Sequence, residues 1–332
     1  MTVLVTGASG FLGGALTRTL VQRGQNVRIL ARKTSNLRHL EDLQVEIVYG
    51  ALENKESLVS AFAGVEVVYH CAALSTDWAP WEAFYQANVL GVQNMLGAAE
   101  GQESLKRFVH ISTTDVYGYP IQACHESYPI ADIGLPYNRS KGLGEKTVWE
   151  CYKKTGLPVT IVRPVTLYGP RSKDIVAEIA SLLRKKQMVL INHGQSHAGL
   201  LYIDNAVEGI INAATSSNTV GQAYNLRDES NETWRQYVEA LADGLGTPRP
   251  WINLPAGVAL GLAHILEATY SALRIRSRPL LTRHAVYLSF RGQNYLIGKS
   301  QQDFGFQSKV TFAEGIERTL AWLNSDEGRH FV

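Results

Sequence analysis

The chain has 332 residues, 45% of them hydrophobic and 19% charged, with a formal net charge of +2. That is enough apolar material for a large core in one large domain or two modest ones, and the near-neutral balance removes the electrostatic ground for binding nucleic acid. Three cysteines, Cys71, Cys124 and Cys151, share no metal-like spacing and exclude a disulfide framework, which suits a reducing, cytoplasmic compartment.

A β-branched run opens the chain at residues 3–6, so no secretory leader is expected ahead of it. Directly after the run stand Gly7, Gly10 and Gly13, and then an amphipathic stretch at 14–23. Only residues without side chains permit a tight turn that lets the backbone approach a pyrophosphate, which the positive end of the next helix stabilises. A glycine triplet alone is weak evidence. This one lies between a strand and a helix, the context that a dinucleotide site requires. The second run, 27–31, ends at Ala31, where an NAD-binding chain would carry a carboxylate for the ribose, and Arg32 and Lys33 follow. A guanidinium there grips a 2′-phosphate, so NADP(H) is favoured, with NAD(H) as the alternative if Arg32 and Lys33 are only a solvated face.

Further runs at 46–49, 67–71, 108–112 and 159–163 alternate with helical patterns at 55–62 and 83–99. Strands separated by helices read as βαβ units, so the expected fold is α/β: a doubly wound parallel sheet of the Rossmann type with a smaller, mainly helical C-terminal cap. The dinucleotide domain is expected over 1–170 with returning segments near 200–226, and the cap over 171–199 and 227–332. Within 171–226 a helix is predicted at 173–186, short strands at 199–204 and 222–225, and a helix at 205–214.

After the fifth run, Tyr137 and Lys141 sit one helical turn apart on one face. A ketone reductase needs such a pair: a neighbouring ammonium and an oxidised nicotinamide favour the phenolate, and the phenol then passes a proton to the carbonyl oxygen. Tyr295 and Lys299 repeat the spacing but follow no strand end, so a packing role is expected for them. Trp78, Trp81, Phe84 and Tyr85 cluster after the fourth run, either as core or as an apolar substrate wall. His193 and His197 have i, i+4 spacing, yet Gly194 and Gly199 imply a loop and no third ligand is in sight, so no metal site is expected. The segment 254–273 is apolar and is followed by Arg274, Arg276, Arg278 and Arg283. His264 and Glu267 in its middle favour a helix of a water-soluble fold, with a helix resting on a membrane surface as the alternative.

With these residues in place, the chain resembles the extended short-chain dehydrogenase/reductase superfamily, the NAD-dependent epimerase/dehydratase-like group, over nearly its whole length. The carriers are TGASGFLG ending at Gly13, HCAA at 70–73, the Asn88 of QANVLGVQN, STTDVYG at 112–118, YNRSK at 137–141 and RPVTLYGP at 163–170. The resemblance implies that Ser9, Phe11 and Leu12 join the glycines around the cofactor, that Ala72 and Ala73 line it, and that Pro164 and Val165 flank the nicotinamide amide. It implies that Thr113 is the active-site hydroxyl and that Asn88 supports the lysine or a water relay, unless it is only a strand–helix bridge. The run Gly50-Ala51-Leu52 lacks the aspartate that many relatives place near the adenine, which leaves Leu52 there without a polar contact.

Within the superfamily, Arg32 and the C-terminal segments 278–283 and 299–322 look like the branch of 3β-hydroxysteroid dehydrogenases, dihydroflavonol reductases and 2-alkyl-3-oxoalkanoate reductases. That implies a secondary alcohol or ketone on an apolar, sterol-like or β-keto acyl substrate. Two alternatives stay open. One is a nucleotide-sugar epimerase or dehydratase, against which Thr166 stands where many such enzymes have asparagine, and Asp115 is a lone carboxylate where dehydratases use an acidic pair. The other is a non-catalytic NADP-binding regulator. A homodimer is the further partner left open.

Overall fold

The structure is a computed structural model that describes residues 1–331. In chain order the first part comprises β1 (Thr2–Thr6), α1 (Phe11–Gln22), β2 (Asn26–Ala31), β3 (Glu46–Tyr49), α2 (Lys55–Phe62) and β4 (Val67–His70). A long helical run follows: α3 (Trp81–Tyr85), one π-helical turn (Gln86–Leu90) and α4 (Gly91–Ala99). Then come β5 (Arg107–Ile111), α5 (Pro136–Thr155), β6 (Val159–Pro164) and β7 (Thr166–Tyr168). A π-turn (Lys173–Ala177) leads into α6 (Glu178–Arg184), β8 (Val189–Ile191), β9 (Leu200–Tyr202), α7 (Ile203–Thr215) and β10 (Gln222–Leu226). The last part holds α8 (Trp234–Gly244), β11 (Ile252–Leu254), α9 (Ala256–Ala272), α10 (Arg283–Phe290), α11 (Gly298–Phe304), α12 (Phe312–Asn324) and α13 (Asp326–Phe331).

Seven strands form one parallel sheet in the order β10-β6-β5-β4-β1-β2-β3. Successive side chains alternate between its faces. On one face Val3, Val5, Ile29, Tyr69, Val109 and Val162 meet Leu16 and Leu20 of α1 and Val207 and Ile210 of α7. On the other, Leu4, Leu30, Val68, Phe108 and Ile161 meet Phe62 of α2, Met95 and Leu96 of α4 and Val148 of α5. The doubly wound α/β fold read from the sequence is therefore the one observed. One detail differs: residues 200–202 do not rejoin the main sheet but pair with β7 in a two-stranded ladder, and only β10 returns. The sheet has unequal edges. At β10, α11 lies alongside, with Tyr224 edge-on to Phe304 and Lys299 bonded to the Ala223 carbonyl. At β3, Ile47 and Tyr49 are exposed.

Local signals set the helix bounds. Pro136 opens α5, and Gly156 closes it in the left-handed region at φ 73°. Thr233 and Gln236 form a reciprocal cap on α8. Because the strands are parallel, their carboxyl ends share one rim. From β1 the chain winds outward to β2 and β3 and then crosses to β4, which makes the crevice between β1 and β4 the switch point where this fold places a ligand.

Candidate active site

At the end of β1, Gly7 has φ +74°, and a Cβ there would stand 2.8 Å from the Ala72 nitrogen. A Cβ on Gly13 would stand 2.2 Å from the Gly7 carbonyl oxygen. The turn is thus pressed both against the loop after β4 and against its own helix. Gly10 caps α1 with no side-chain cap bond and no acidic residue in the first turn, and Ser9 and Gly10 are exposed. An uncapped helix N-terminus offers unsatisfied N–H donors to an anion. The residues present fit a dinucleotide pyrophosphate. Phe11 and Leu12 are half-buried in this first turn. The Thr6 hydroxyl ties the neighbourhood together, accepting from the Ala72 N–H at 3.1 Å and pairing with His70 Nδ1 at 2.8 Å. Ala73, next in the loop, is exposed.

At the end of β2, Ala31 is buried, while Arg32 and Lys33 are exposed and no carboxylate stands among them. The Arg32 N–H donates to Ser35 Oγ at 3.1 Å, which fixes the turn after the strand. Leu52 is half-buried against Gly91, and its carbonyl accepts from Asn94 Nδ2 at 2.8 Å. Pro164 and Val165 are buried at the end of β6, with the Val165 N–H bonded to the Leu226 carbonyl at 3.1 Å.

Tyr137, Lys141 and Glu145 follow at intervals of four along α5. Lys141 and Glu145 are buried and Tyr137 is half-buried. Lys141 Nζ donates to the Ile111 carbonyl at 2.6 Å. Burial brings its pKa down to about 8, opposed by the negative charge of Glu145. Glu145 is itself paired with Arg163, through Nε at 3.0 Å and through a second contact to Nη2. The same guanidinium donates to the Tyr117 hydroxyl at 2.5 Å and lies 4.9 Å over its ring.

Burial and then the charge of Asp115 push the Tyr137 phenol well above its ordinary value, while the hydroxyls of Ser75 and Thr113 pull the other way. The one-turn spacing predicts a phenol lowered by the nearby ammonium. Lys141 is held by the Ile111 carbonyl at the β5 end, and burial outweighs any lowering of the phenol. Thr113 lies at the end of β5, its Oγ1 accepting from the Asp115 N–H at 3.2 Å.

The Asn88 Oδ1 accepts from the Leu74 N–H at 2.7 Å, and its Nδ2 donates to the Leu74 carbonyl and to Ser140 Oγ. These bonds fasten the loop after β4 to α5.

Several neighbours of Tyr137 had no signal in the local sequence. His284, on α10, stands edge-on to the Tyr137 ring, 5.8 Å between centroids, and its Nε2 lies 3.1 Å from Asp115 Oδ2. Burial alone would lower its pKa, but the Asp115 hydrogen bond and charge outweigh that and raise it. Asp77 accepts from Arg278 Nε and Nη2 at 2.6 and 2.7 Å and from the Thr282 hydroxyl at 2.6 Å. These contacts strap residues 275–284 across the loop after β4. Phe84 is buried beside Tyr137, with ring centroids 6.4 Å apart. Trp78 donates to the Ile275 carbonyl and meets Tyr270 edge-on, Arg139 lies over Trp81, and Tyr85 is exposed. Of the aromatic cluster, Phe84 thus stands beside Tyr137, while Trp78 and Trp81 pack on other residues.

Tyr295 is buried, stacked on Tyr117 and placed before α11, so it shares no helical turn with Lys299. His193 lies in the loop after β8, where its N–H meets the Asn253 side chain, and His197 Nδ1 lies 2.9 Å from the Asn231 carbonyl oxygen. Among the described residues no helix is long and apolar enough to cross a membrane.

Comparison with known proteins agrees with this geometry. The family model described as "NAD dependent epimerase/dehydratase family" matches residues 3–226. The chain is 30% identical, over 96% of its length and 95% of the relative's, to a 4-hydroxy-2-methyl-3-oxo-4-farnesyl-3,4-dihydroquinoline-1-oxide ketoreductase from Stigmatella aurantiaca. It is 29% identical, over 97% and 99%, to a 2-alkyl-3-oxoalkanoate reductase from Stenotrophomonas maltophilia. Its fold is similar to that of a dTDP-glucose 4,6-dehydratase from Streptomyces venezuelae solved with NAD, with TM-score 0.81 at 23% identity over 99% of this chain and 98% of that one.

Proposed function

The chain belongs to the NAD dependent epimerase/dehydratase family, and from that premise we propose that it reduces a ketone to a secondary alcohol on an apolar β-keto acyl or sterol-like substrate, with NADPH as the preferred cofactor. The coarser class, an oxidoreductase of the extended short-chain dehydrogenase/reductase type with a nicotinamide cofactor, rests on the family match and on relatives named as reductases. The observation that carries the finer reading is the setting of Tyr137. Its phenol stands at the strand-end rim with the Thr113 and Ser75 hydroxyls acting on it, walled by Phe84 and His284. The names of both relatives describe 3-oxo substrates bearing hydrocarbon chains, which accords with that wall.

The nicotinamide, when bound, supplies the hydride. The protein supplies the proton and the geometry. Thr113 donates a hydrogen bond that holds the carbonyl oxygen, and Tyr137 gives its phenolic proton to that oxygen, leaving a phenolate that regains a proton from solvent. Lys141, anchored on the Ile111 carbonyl, places positive charge near the sheet rim where it favours the phenolate. The high phenol pKa of the chain alone suits an acid that releases its proton only when the carbonyl oxygen becomes basic. The Gly7–Gly13 turn and the α1 N-terminus hold the pyrophosphate, and Arg32 and Lys33 hold the 2′-phosphate.

The test is kcat/KM with NADPH and NADH on a panel of 3-oxo acids and ketosteroids, at fixed low salt because screening weakens exposed charge pairs. A charge-assisted contact to the 2′-phosphate contributes about 1.5–3 kcal/mol, a preference of roughly ten- to hundredfold. Ala31→Asp with Arg32→Asn inverts it. A wild type that already prefers NADH overturns the cofactor assignment. Tight calorimetric binding of UDP- or dTDP-sugars, with no turnover of apolar ketones, overturns the substrate class.

A further inference from the structure

We propose that the outer face of α9 is a docking surface for an anionic lipid bilayer, and that the protein lies on that surface with the helix in the interfacial plane. The helix has 17 residues but buries only Ala259 and Ala263, against a small cluster with Ile191 and Val286. Leu260 is half-buried against that cluster, but three other aliphatic side chains point outward. Val258, Leu262 and Ile265, at intervals of four and three, form one exposed stripe, with Ile265 64% exposed. Leu273 continues the patch at 67% exposure, and Trp251 before the helix and Leu280 after it are 86% and 77% exposed. Six such side chains fall within thirty residues here, against the pair Ile47 and Tyr49 on β3, and a concentration of this kind marks an interaction site.

Charge selects the occupant. Between Trp251 and Leu280 the only carboxylate is Glu267, and both its oxygens are taken by Arg283, through the main-chain N–H at 2.7 Å and Nε at 2.6 Å. The exposed ionisable groups of the segment are His264, Arg274 and Arg276. An apolar stripe with an exposed tryptophan and basic residues at one end is the pattern of a helix that sinks its apolar side into the headgroup–acyl boundary and sets its cations among anionic headgroups. At 1.5 Å per residue α9 is about 25 Å long. That is shorter than the roughly 30 Å hydrocarbon core, so it lies on the bilayer and does not span it.

The position of the face gives the contact a use. The chain leaving α9 is the strap that crosses the active site: the Ile275 carbonyl on Trp78, Arg278 and Thr282 on Asp77, His284 on Asp115 and beside Tyr137. A membrane-dissolved ketone would then reach Tyr137 along a path that starts at α9. This use, unlike the docking itself, rests on the function proposed above.

The experiment is flotation of the full chain with vesicles of phosphatidylcholine alone and of phosphatidylcholine with phosphatidylglycerol, which needs no turnover. The wild type is expected to float with the anionic vesicles. Leu262→Glu with Ile265→Glu, at exposed positions, should cut that binding by at least about tenfold, and so should Arg274→Glu with Arg276→Glu. The far-UV circular dichroism spectrum and urea midpoint should stay unchanged in both variants, which shows that they are folded. A wild type that does not float, or variants that float like the wild type, overturns the proposal. Light scattering that finds a dimer split by Ile265→Glu, with no flotation, assigns the face to a second copy of the chain and overturns it too. Failure to reduce any ketone leaves the flotation result standing and counts against the function alone.

Discussion

Two apolar helices, one with its apolar residues gathered on a single face and one with them spread around, behave oppositely. α7 has 13 residues and turns Ile203, Ala206, Val207, Ile210, Ile211 and Ala214 into the protein, most of them against the sheet. α9 has 17 and turns two alanines inward. The apolar side chains of α7 hold the fold together, and the site is built on the rigid sheet that they cover. Those of α9 do little for the fold, and its downstream strap is held over the site mainly by polar contacts: Arg278 and Thr282 on Asp77, His284 on Asp115, Trp78 on the Ile275 carbonyl. The strand-end rim is therefore fixed by burial, and the strap over it by hydrogen bonds, which open at lower free-energy cost.

The largest effect should come from the buried side. Tyr137→Phe removes the proposed proton donor, and kcat should fall by about a hundred- to ten-thousandfold while NADPH affinity, read by fluorescence titration, is unchanged. Loss of cofactor binding instead would show that the ring packs the site and does not act in it. The core comes next. Ile210→Ala in α7 empties fully buried volume and should cost about 2–5 kcal/mol in urea unfolding. Ile265→Ala in α9 should stay within about 0.5 kcal/mol of wild type. Equal costs for the two would erase the contrast between the helices.

Loosening the strap should be milder and should appear in substrate binding. Asp77→Ala is expected to raise KM for an apolar ketone by roughly tenfold, equivalent to about 1.4 kcal/mol, and to speed amide exchange over 275–284, with the global unfolding midpoint nearly unmoved. A matching fall in kcat with KM constant would place Asp77 in the chemistry. The smallest effect concerns pH. Burial lowers the Lys141 pKa to about 8 from an ordinary 10.5. Between these values the unfolded chain binds more protons than the folded one, so this group makes the free energy of unfolding rise with pH across that window. Relative to Lys141→Met, the wild-type urea midpoint should therefore climb between about pH 8 and 10. Parallel curves would mean that the ammonium is better solvated than its burial implies.

The parts that local sequence could reveal are those built from neighbours in the chain. The strands at 46–49 and 67–70 are short runs with paired β-branched residues, the first ending at Gly50 and the second starting after Glu66, and the glycine turn carries its own geometry. Tyr137 and Lys141 are one turn apart, and extending that interval by four more residues reaches Glu145, whose buried pair with Arg163 the spacing alone could have suggested. The strap was not legible for a plain reason. Its contacts join residues 169 to 205 positions apart, and a histidine two residues past a threonine cap looks like any helix start. The partners of Asn88 were hidden for the same reason: the π-turn at Gln86–Leu90 sets its amide against the Leu74 backbone and Ser140.

The uneven edges of the sheet bear on how the molecule behaves when crowded. The β10 margin is shielded by α11, while the β3 margin leaves backbone donors and acceptors unpaired beside exposed Ile47 and Tyr49. Such a margin is a template on which another sheet can zip. Two features blunt it. It is four residues long, and Glu46 at its start is exposed and held by Arg28 Nε at 2.8 Å, so that two copies meeting edge to edge would bring carboxylates together. Colloidal solubility at this margin thus depends on one ion pair and on brevity, and a substitution that neutralised Glu46 while lengthening the strand would turn a quiet edge into a seed for fibrils.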